Sequence, residues 1–185
     1  SRRKYAPPHI ALPITHRHLP RAGGDLGVRL RDHLAGFVDL GVPPFMLSSA
    51  LNLMIALRLV SRLCPECKKE RKAPPEAAKD IEKALDQLPA EVKKTLSYKA
   101  PYSVYISEPK EDCKVCKGRG TVGRLAIFEL FRMTRELGEL VNTGFTEGKL
   151  WDEAERQGII TLRQDGVLKA LEGKVSIEEV LRETA

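Results

Sequence analysis

Aromatic side chains and long apolar runs are both scarce in this sequence, and each shortage excludes a class of structure. Aromatic residues make up 5% of the 185 residues, while Leu, Ala, Lys and Glu are abundant, which favours helices packed through aliphatic side chains over a β-sandwich. The most apolar stretch, residues 45–60, is interrupted by four polar residues and falls short of the roughly 20 residues that span a bilayer. We therefore predict a buried core helix there. The sequence has no charged N-terminus followed by an apolar run and a cleavage site, so nothing in it indicates secretion.

The sequence also lacks the motifs of nucleotide binding and hydrolysis. It contains no GxxxxGK[ST] loop, whose backbone amides would enclose phosphates, so the chain as given is not expected to hydrolyse ATP. The dipeptides Gly148-Lys149 and Gly173-Lys174 are followed by the wrong residues and are interpreted as helix boundaries. His16 and His18 have no other ligand near them in the sequence, and no Ser/His/Asp or paired-carboxylate arrangement can be assigned. We predict no catalytic residue.

The positive charge is concentrated at one end of the chain. The formal net charge is +6, and residues 1–35 hold seven Lys or Arg against two acids, a net of +5. The remaining residues hold 24 bases and 23 acids, which is typical of a solvated surface rather than of a nucleic-acid or membrane interface. Residues 1–36 have no sustained period of 3.6 or 2, so we predict an irregular segment there.

Four cysteines in two CxxC pairs give the strongest functional signal: Cys64, Cys67, Cys113 and Cys116. Two residues between the members of a pair let a tight turn point both sulfurs at one ion, and four thiolates at about 2.3 Å complete the tetrahedral shell that structural zinc prefers. A metal is favoured over disulfides in a chain without an export signal, because the cytosol keeps thiols reduced. With no open coordination position and no His or Glu placed as a base, this Zn²⁺ is predicted to be structural.

The two cysteine pairs are separated by 45 residues, so the segment between them must carry its own structure. Its apolar spacing predicts helices over residues 76–88 and 90–96 and a strand over residues 102–107. The lysines beside the cysteines are expected to ease deprotonation of the thiols. These lysines are Lys68, Lys69, Lys114 and Lys117.

The rest of the pattern is mostly helical. Thr161 with Gln164, and Ser176 with Glu179, have the capping-box spacing in which each side chain bonds the other residue's backbone amide at a helix start. The predicted elements are a helix over residues 44–62, a strand over 124–131, short helices near 137–141 and 150–157, and helices over 162–172 and 177–183.

Several ordered motifs follow one another from Leu40 onward. They are LGVPPFMLSSAL from Leu40, RLVSRLCPEC from Arg58, DCKVCKGRGTVGR from Asp112, IFEL from Ile127 and TLRQDG from Thr161. Together they resemble the C-terminal region of the type II secretion and type IV pilus-assembly ATPases. That resemblance implies that the cysteine pairs are the zinc ligands of this family. It also implies that the Walker motifs belong upstream of Leu40, and residues 1–36 contain none.

The resemblance implies an α+β, mostly helical fold, with the end of a RecA-like core, a small zinc-binding subdomain and a C-terminal helical subdomain. The corresponding divisions are an irregular or divergent segment at 1–36, the terminal helix of the ATPase core at 37–63, the zinc-binding subdomain at 64–123 and the C-terminal strand and helices at 124–185. The intact parent proteins use ATP and Mg²⁺, form homo-hexamers and act with an inner-membrane platform protein. The expected location is cytoplasmic and peripheral to the inner membrane, with no specific nucleic acid as a partner.

Two other families fit parts of the sequence. The segment from Cys113 to Gly120 matches the CxxCxGxG repeat of DnaJ-like zinc modules, but only one copy is present and the first cysteine pair has no glycines. A zinc-ribbon nucleic-acid binder would use Lys68, Lys69, Arg71, Lys72 and the basic N-terminus, and it would bind with a steep dependence on salt. No stacking aromatics are interleaved with these bases, which favours the secretion and pilus family.

Overall fold

The computed structural model describes Leu34 and residues 36–184, and this part of the chain has an α+β fold. In chain order the elements are α1 (Pro44–Ala50), β1 (Leu53–Leu63), β2 (Lys68–Lys72), α2 (Pro75–Asp86), α3 (Ala90–Thr95), β3 (Ser103–Ser107), β4 (Thr121–Arg132), α4 (Arg135–Thr143), α5 (Glu147–Gln157), α6 (Leu162–Leu171) and α7 (Ile177–Glu183). A short helical stretch, residues 36–39, precedes α1. Most of the segment predicted to be irregular, with His16 and His18, lies outside the described residues.

The helix predicted over residues 44–62 is wrong beyond Ala50, and so is a terminal helix over residues 37–63. The helix α1 ends at Ala50, and the chain continues as β1, which pairs antiparallel with β4 and starts with Leu53 opposite Arg132. Both faces of β1 are rich in apolar residues, so the alternation of a half-buried strand is hidden in the sequence. Pairing with the distant strand β4 satisfies the backbone groups of β1 that point towards β4 and overrides the helix propensity of its Leu, Met and Ala residues.

A second two-stranded sheet joins the two ends of the segment between the cysteine pairs. β2 pairs antiparallel with β3, with Lys68 opposite Ser107 and Lys72 opposite Ser103. All five residues of β2 are charged, so strand propensity gives no signal there. The helices α2 and α3 connect the two strands and confirm the helices predicted in this segment, and β3 confirms its predicted strand.

The inward face of the β1–β4 sheet supports two hydrophobic cores. The larger core contains Val60 and Ile127 of this sheet together with apolar residues of α2, β3, α6 and α7. The smaller core contains Phe131 with Leu34 and apolar residues of α1, α4 and α5. The segment between the cysteine pairs and the C-terminal helices α6 and α7 therefore bury their apolar faces in one common core.

The predicted helix starts are confirmed, with one difference. Thr161 and Gln164 form a full capping box at the start of α6. At α7, the Ser176 hydroxyl accepts a hydrogen bond from the Glu179 N–H, but the Glu179 carboxylate accepts from the Ser61 N–H of β1 at 2.7 Å. That carboxylate therefore ties α7 to β1. None of the helices in the described residues combines the length and apolar character needed to cross a membrane.

Candidate metal centre

The sulfurs of the four predicted ligands converge on one point. Cys64, Cys67, Cys113 and Cys116 are all buried, and their four Sγ atoms lie within 4.8 Å of one another. The Cys64–Cys113 and Cys67–Cys116 sulfur separations are 3.8 and 3.5 Å. Four thiolates at about 2.3 Å from a central ion would be about 3.8 Å apart along each edge of the tetrahedron. The donor set and its spacing therefore fit a tetrahedral zinc ion.

Each cysteine pair sits in a tight turn at the end of a strand. In the first turn, which follows β1, the Cys64 carbonyl accepts hydrogen bonds from the N–H groups of Cys67 and Lys68. In the second, which precedes β4, the Cys113 carbonyl accepts from the Lys117 N–H, and Lys117 has a positive φ of 52°. Because β1 and β4 are neighbours in one sheet, the two turns meet although their residues are far apart in the chain.

Gly120 lies where the two turns cross. Its N–H donates to the Cys116 sulfur at 3.2 Å, and its carbonyl accepts from the Cys64 N–H at 3.0 Å and from the Ser107 hydroxyl at 3.0 Å. Its φ is +73°, and a Cβ at this position would lie 1.9 Å from the Ser107 Oγ and 2.9 Å from the Pro109 Cγ. Glycine is therefore required here both for its conformation and for the space.

Burial and mutual contact shift the four thiols in different directions. A backbone hydrogen bond from Lys110 lowers the pKa of Cys67, but burial and the neighbouring thiols outweigh it and raise that pKa to about 12. Burial likewise raises the pKa of Cys64. Burial opposes ionisation of Cys116 too, but the Gly120 N–H and the neighbouring thiols stabilise its thiolate and lower its pKa to about 6. Among the thiols whose pKa is shifted, Cys116 is therefore the one whose thiolate the fold stabilises.

The lysines expected to assist the thiols have other partners or point outward. The Lys68 ammonium donates to the Gly173 carbonyl at 2.9 Å, and the Lys69 ammonium donates to Glu108 at 3.0 Å. Lys114 and Lys117 are exposed. The shift at Cys116 comes instead from a backbone amide and from the other sulfurs. Sequence patterns missed the contact between Lys68 and Gly173 because it joins residues 105 apart.

The arrangement leaves no ligand position for chemistry. In the part of the chain that the structure describes, the group of potential metal ligands consists of the four cysteines, with no His, Asp or Glu among them. Four thiolates fill a tetrahedral shell, and a catalytic zinc site normally keeps one position for water or substrate. The geometry therefore suits an ion that holds the two turns together.

The chain matches a family model described as Type II/IV secretion system protein over residues 30–182. The type IV pilus assembly ATPase PilB of Myxococcus xanthus is 35% identical over 149 residues, which are 80% of this chain and 24% of that protein. PilB of Thermus thermophilus is 36% identical over 146 residues, 79% of this chain and 15% of that protein. The type II secretion system ATPase E of Vibrio cholerae is 35% identical over 146 residues, 79% of this chain and 26% of that protein. The chain thus spans about a quarter or less of the length of these relatives.

Proposed function

Because the chain belongs to the type II/IV secretion system protein family, we propose that it is the C-terminal zinc-binding portion of a hexameric motor ATPase. The motor powers type II secretion or type IV pilus assembly, and its nucleotide site is formed by residues outside this sequence. The observation that carries the proposal is the family match over most of the chain, joined to a group of four buried cysteines whose sulfurs lie within 4.8 Å of one another. Family membership favours this interpretation over a DnaJ-like module or a zinc-ribbon nucleic-acid binder.

The edges of the β1–β4 sheet support a place at the end of a larger sheet. Side chains of α5 and α6 cover the outer edge of β4. From α5, Gln157 bonds the backbone of Arg132. From α6, Asp165 accepts from the Phe128 N–H, and Lys169 donates to the Ala126 carbonyl. The backbone N–H of Phe128 points away from β1, since it donates to Asp165. In an antiparallel pair, the backbone groups of the opposite residue, Leu57, then point away from β4. No group in the described part of the chain bonds the outer edge of β1 from Leu53 to Leu59. That open edge is suited to pair with another strand.

The outward face of the same sheet is apolar, and none of the described elements covers it. Its large side chains are 42–57% exposed: Leu53, Ile55, Leu57, Leu59, Phe128 and Leu130. They amount to roughly 500 Å² of apolar surface, a size at which patches on soluble proteins often have a function. The open edge of β1 and the exposed face of the β1–β4 sheet together suit a partner that supplies both further strands and a layer that covers the sheet. The remainder of a RecA-like α/β core would supply both, whereas a second copy paired at the β1 edge would leave the face bare.

In this proposal the ion at Cys64, Cys67, Cys113 and Cys116 is a structural Zn²⁺. It would hold the small sheet of β2 and β3 in a fixed orientation without a large core of its own. ATP and Mg²⁺ would bind the rest of the longer protein. The homo-hexamer, the inner-membrane platform protein and a cytoplasmic location peripheral to the inner membrane follow from the resemblance to the family.

The zinc assignment is tested by measuring the metal content of the purified chain by mass spectrometry. We expect one zinc per chain, lost in Cys113→Ser/Cys116→Ser and retained in the control Lys114→Met, which changes an exposed neighbour of the same turn. A wild-type chain without zinc, and with a melting temperature unchanged by chelators, contradicts a structural zinc.

The motor assignment is tested with a chimera. The matching region of PilB from Myxococcus xanthus is replaced by residues 34–185 of this chain, and hexamer formation and ATP hydrolysis are measured. We expect both to be retained and to be lost on Cys113→Ser/Cys116→Ser. A well-folded, zinc-loaded chimera that neither assembles nor hydrolyses ATP contradicts the motor assignment and leaves the zinc assignment standing.

A further inference from the structure

The residues on either side of the first cysteine pair both bond the turn between α6 and α7. Immediately before Cys64, the Leu63 N–H donates to the Lys174 carbonyl at 2.9 Å. Immediately after Cys67, the Lys68 ammonium donates to the Gly173 carbonyl at 2.9 Å. The first cysteine turn is therefore held against two consecutive carbonyls at the end of α6. A cation at this position also complements the negative end of the helix dipole.

The α6–α7 turn also packs directly on β3. Gly173 has a φ of +68°, and a Cβ there would lie 2.7–2.9 Å from three ring atoms of Tyr105. The Lys68 ammonium lies 4.9 Å from the centre of the same ring, within range of a cation–π contact. Tyr105 is opposite Glu70 in the β2–β3 sheet. The turn thus contacts both strands that connect the two halves of the metal centre.

The chain after this turn is closely bound to the rest of the fold. Val175, Ile177 and Val180 are fully buried in the larger core. The Glu179 carboxylate accepts a hydrogen bond from the Ser61 N–H of β1 at 2.7 Å. A displacement of the first cysteine turn would move the ends of β1 and β2, and with them the partners of the α6–α7 turn and of α7.

We propose that metal occupancy of the tetracysteine group is coupled to the ordering of the α6–α7 turn and of α7 through Leu63, Lys68 and Tyr105. This inference rests on the proposed zinc binding. A metal that fixes the Cys64–Cys67 turn fixes the two donors that hold Gly173 and Lys174. The coupling is reciprocal. If zinc favours the ordered form of α7 by some factor, then ordering of α7 raises the zinc affinity by the same factor, and loss of the Lys68 contact reduces both effects equally.

The test is hydrogen exchange measured by mass spectrometry on the full chain, with and without one equivalent of zinc. We expect zinc to slow exchange of the α7 amides by about tenfold or more, because these amides then open only with the larger core. In Lys68→Met we expect zinc to bind still, with an affinity about fivefold weaker and with most of its effect on α7 lost. The matched control is Lys72→Met, which removes an exposed lysine from the same strand without touching the turn.

The outcomes separate this inference from the proposed function. If zinc binds and slows exchange in the cysteine turns but leaves α7 unchanged, the coupling is refuted and the zinc assignment stands. The coupling is equally refuted if Lys68→Met keeps both the affinity and the α7 effect of the wild type. If the chain binds no zinc, the zinc assignment and the coupling both fall. Exchange in α5, which packs in the smaller core, serves as the internal reference in every sample.

Discussion

At the scale of single residues, Gly120 and Gly123 offer a controlled comparison of what a glycine contributes. Both have a positive φ, of 73° and 67°. A Cβ at Gly120 would collide with Ser107 and Pro109, whereas a Cβ at Gly123 would meet nothing within 4 Å. Both positions therefore carry the same cost of a left-handed backbone. They differ because Ser107 and Pro109 approach closely at Gly120 only.

We predict that Gly120→Ala lowers the free energy of unfolding by at least about 2 kcal/mol more than Gly123→Ala. The substitution at Gly123 should cost only the left-handed conformation, about 1 kcal/mol. Urea unfolding of both variants in the presence of zinc measures the difference. Equal losses of unfolding free energy in the two variants would show that the close approach of Ser107 and Pro109 does not restrict position 120 to glycine.

Glu153 is a second residue whose role the structure defines. Its carboxylate is 4% exposed and accepts hydrogen bonds from Arg156, Thr134 and Gln157 at 2.6–2.8 Å. The hydrogen bond from the Arg156 guanidinium lowers the pKa of Glu153 to about 2, because it outweighs burial, which raises this pKa. A carboxyl whose pKa is lower in the folded than in the unfolded state stabilises the fold above the unfolded pKa, about 4.3. That stabilisation is lost as the pH falls towards 2.

We predict that Glu153→Gln costs about 1–2 kcal/mol of unfolding free energy at pH 7, a value reduced because Arg156 is half exposed. The cost should shrink as the pH falls from about 4.5 to 2. Denaturation of metal-free wild type and variant at each pH measures the difference, so that acid release of metal does not contribute. Glu155→Gln, at an exposed position of the same helix, should change stability little at any pH. A pH-independent cost at Glu153 would contradict the assignment.

At the scale of elements, the two faces of β1 should respond differently to truncation. Val60 is fully buried in the larger core, while Leu57 is 57% exposed on the outward face. We predict that Val60→Ala lowers the unfolding free energy by about 2 kcal/mol and that Leu57→Ala stays within about 0.5 kcal/mol. Chemical denaturation of the two variants checks this. A larger cost at Leu57 would mean that its face is covered in this chain.

The errors at the level of elements have a common physical cause. The strands β1 and β2 were not predictable because neither shows the alternation of a half-buried strand, whereas β3 and β4, whose pairing partners are equally distant in the chain, were predicted. In β1 the residues Leu53 to Leu59 carry apolar side chains on both faces, so neither period stands out. Helices that begin at a proline or at a capping residue, such as Thr161, were predictable because their signals are local.

The same distinction applies to the metal centre. Which four residues share the site was predictable, since CxxC spacing and thiolate chemistry are local properties of Cys64, Cys67, Cys113 and Cys116. The partner of Lys68 was not predictable, because only the fold brings Gly173 to it. Easier deprotonation of the thiols was predicted from the nearby lysines, whereas at Cys116 the amide of Gly120 and the other sulfurs produce it.

At the scale of the whole molecule, the apolar outward face of the β1–β4 sheet is exposed in the described part of the chain. Ile55 and Leu57 lie at its centre, each 57% exposed, beside a β1 edge whose backbone groups have no partner among the described residues. Such an edge and face promote association between chains when nothing covers them. In the longer motor that we propose, the same face would be buried, so polar substitutions should have opposite effects in the two settings.

We predict that Ile55→Thr/Leu57→Thr makes the isolated chain more monomeric across a concentration series and leaves its unfolding free energy nearly unchanged. In the chimera with the Myxococcus xanthus protein, the same pair should lower the melting temperature, since burying two threonines in place of Ile and Leu costs on the order of 2–4 kcal/mol. Light scattering after size-exclusion chromatography and thermal unfolding measure the two effects, and Lys99→Thr, in an exposed loop, is the control for both. If the pair leaves the chimera as stable as the control does, this face remains uncovered in the longer protein and does not belong to a larger core.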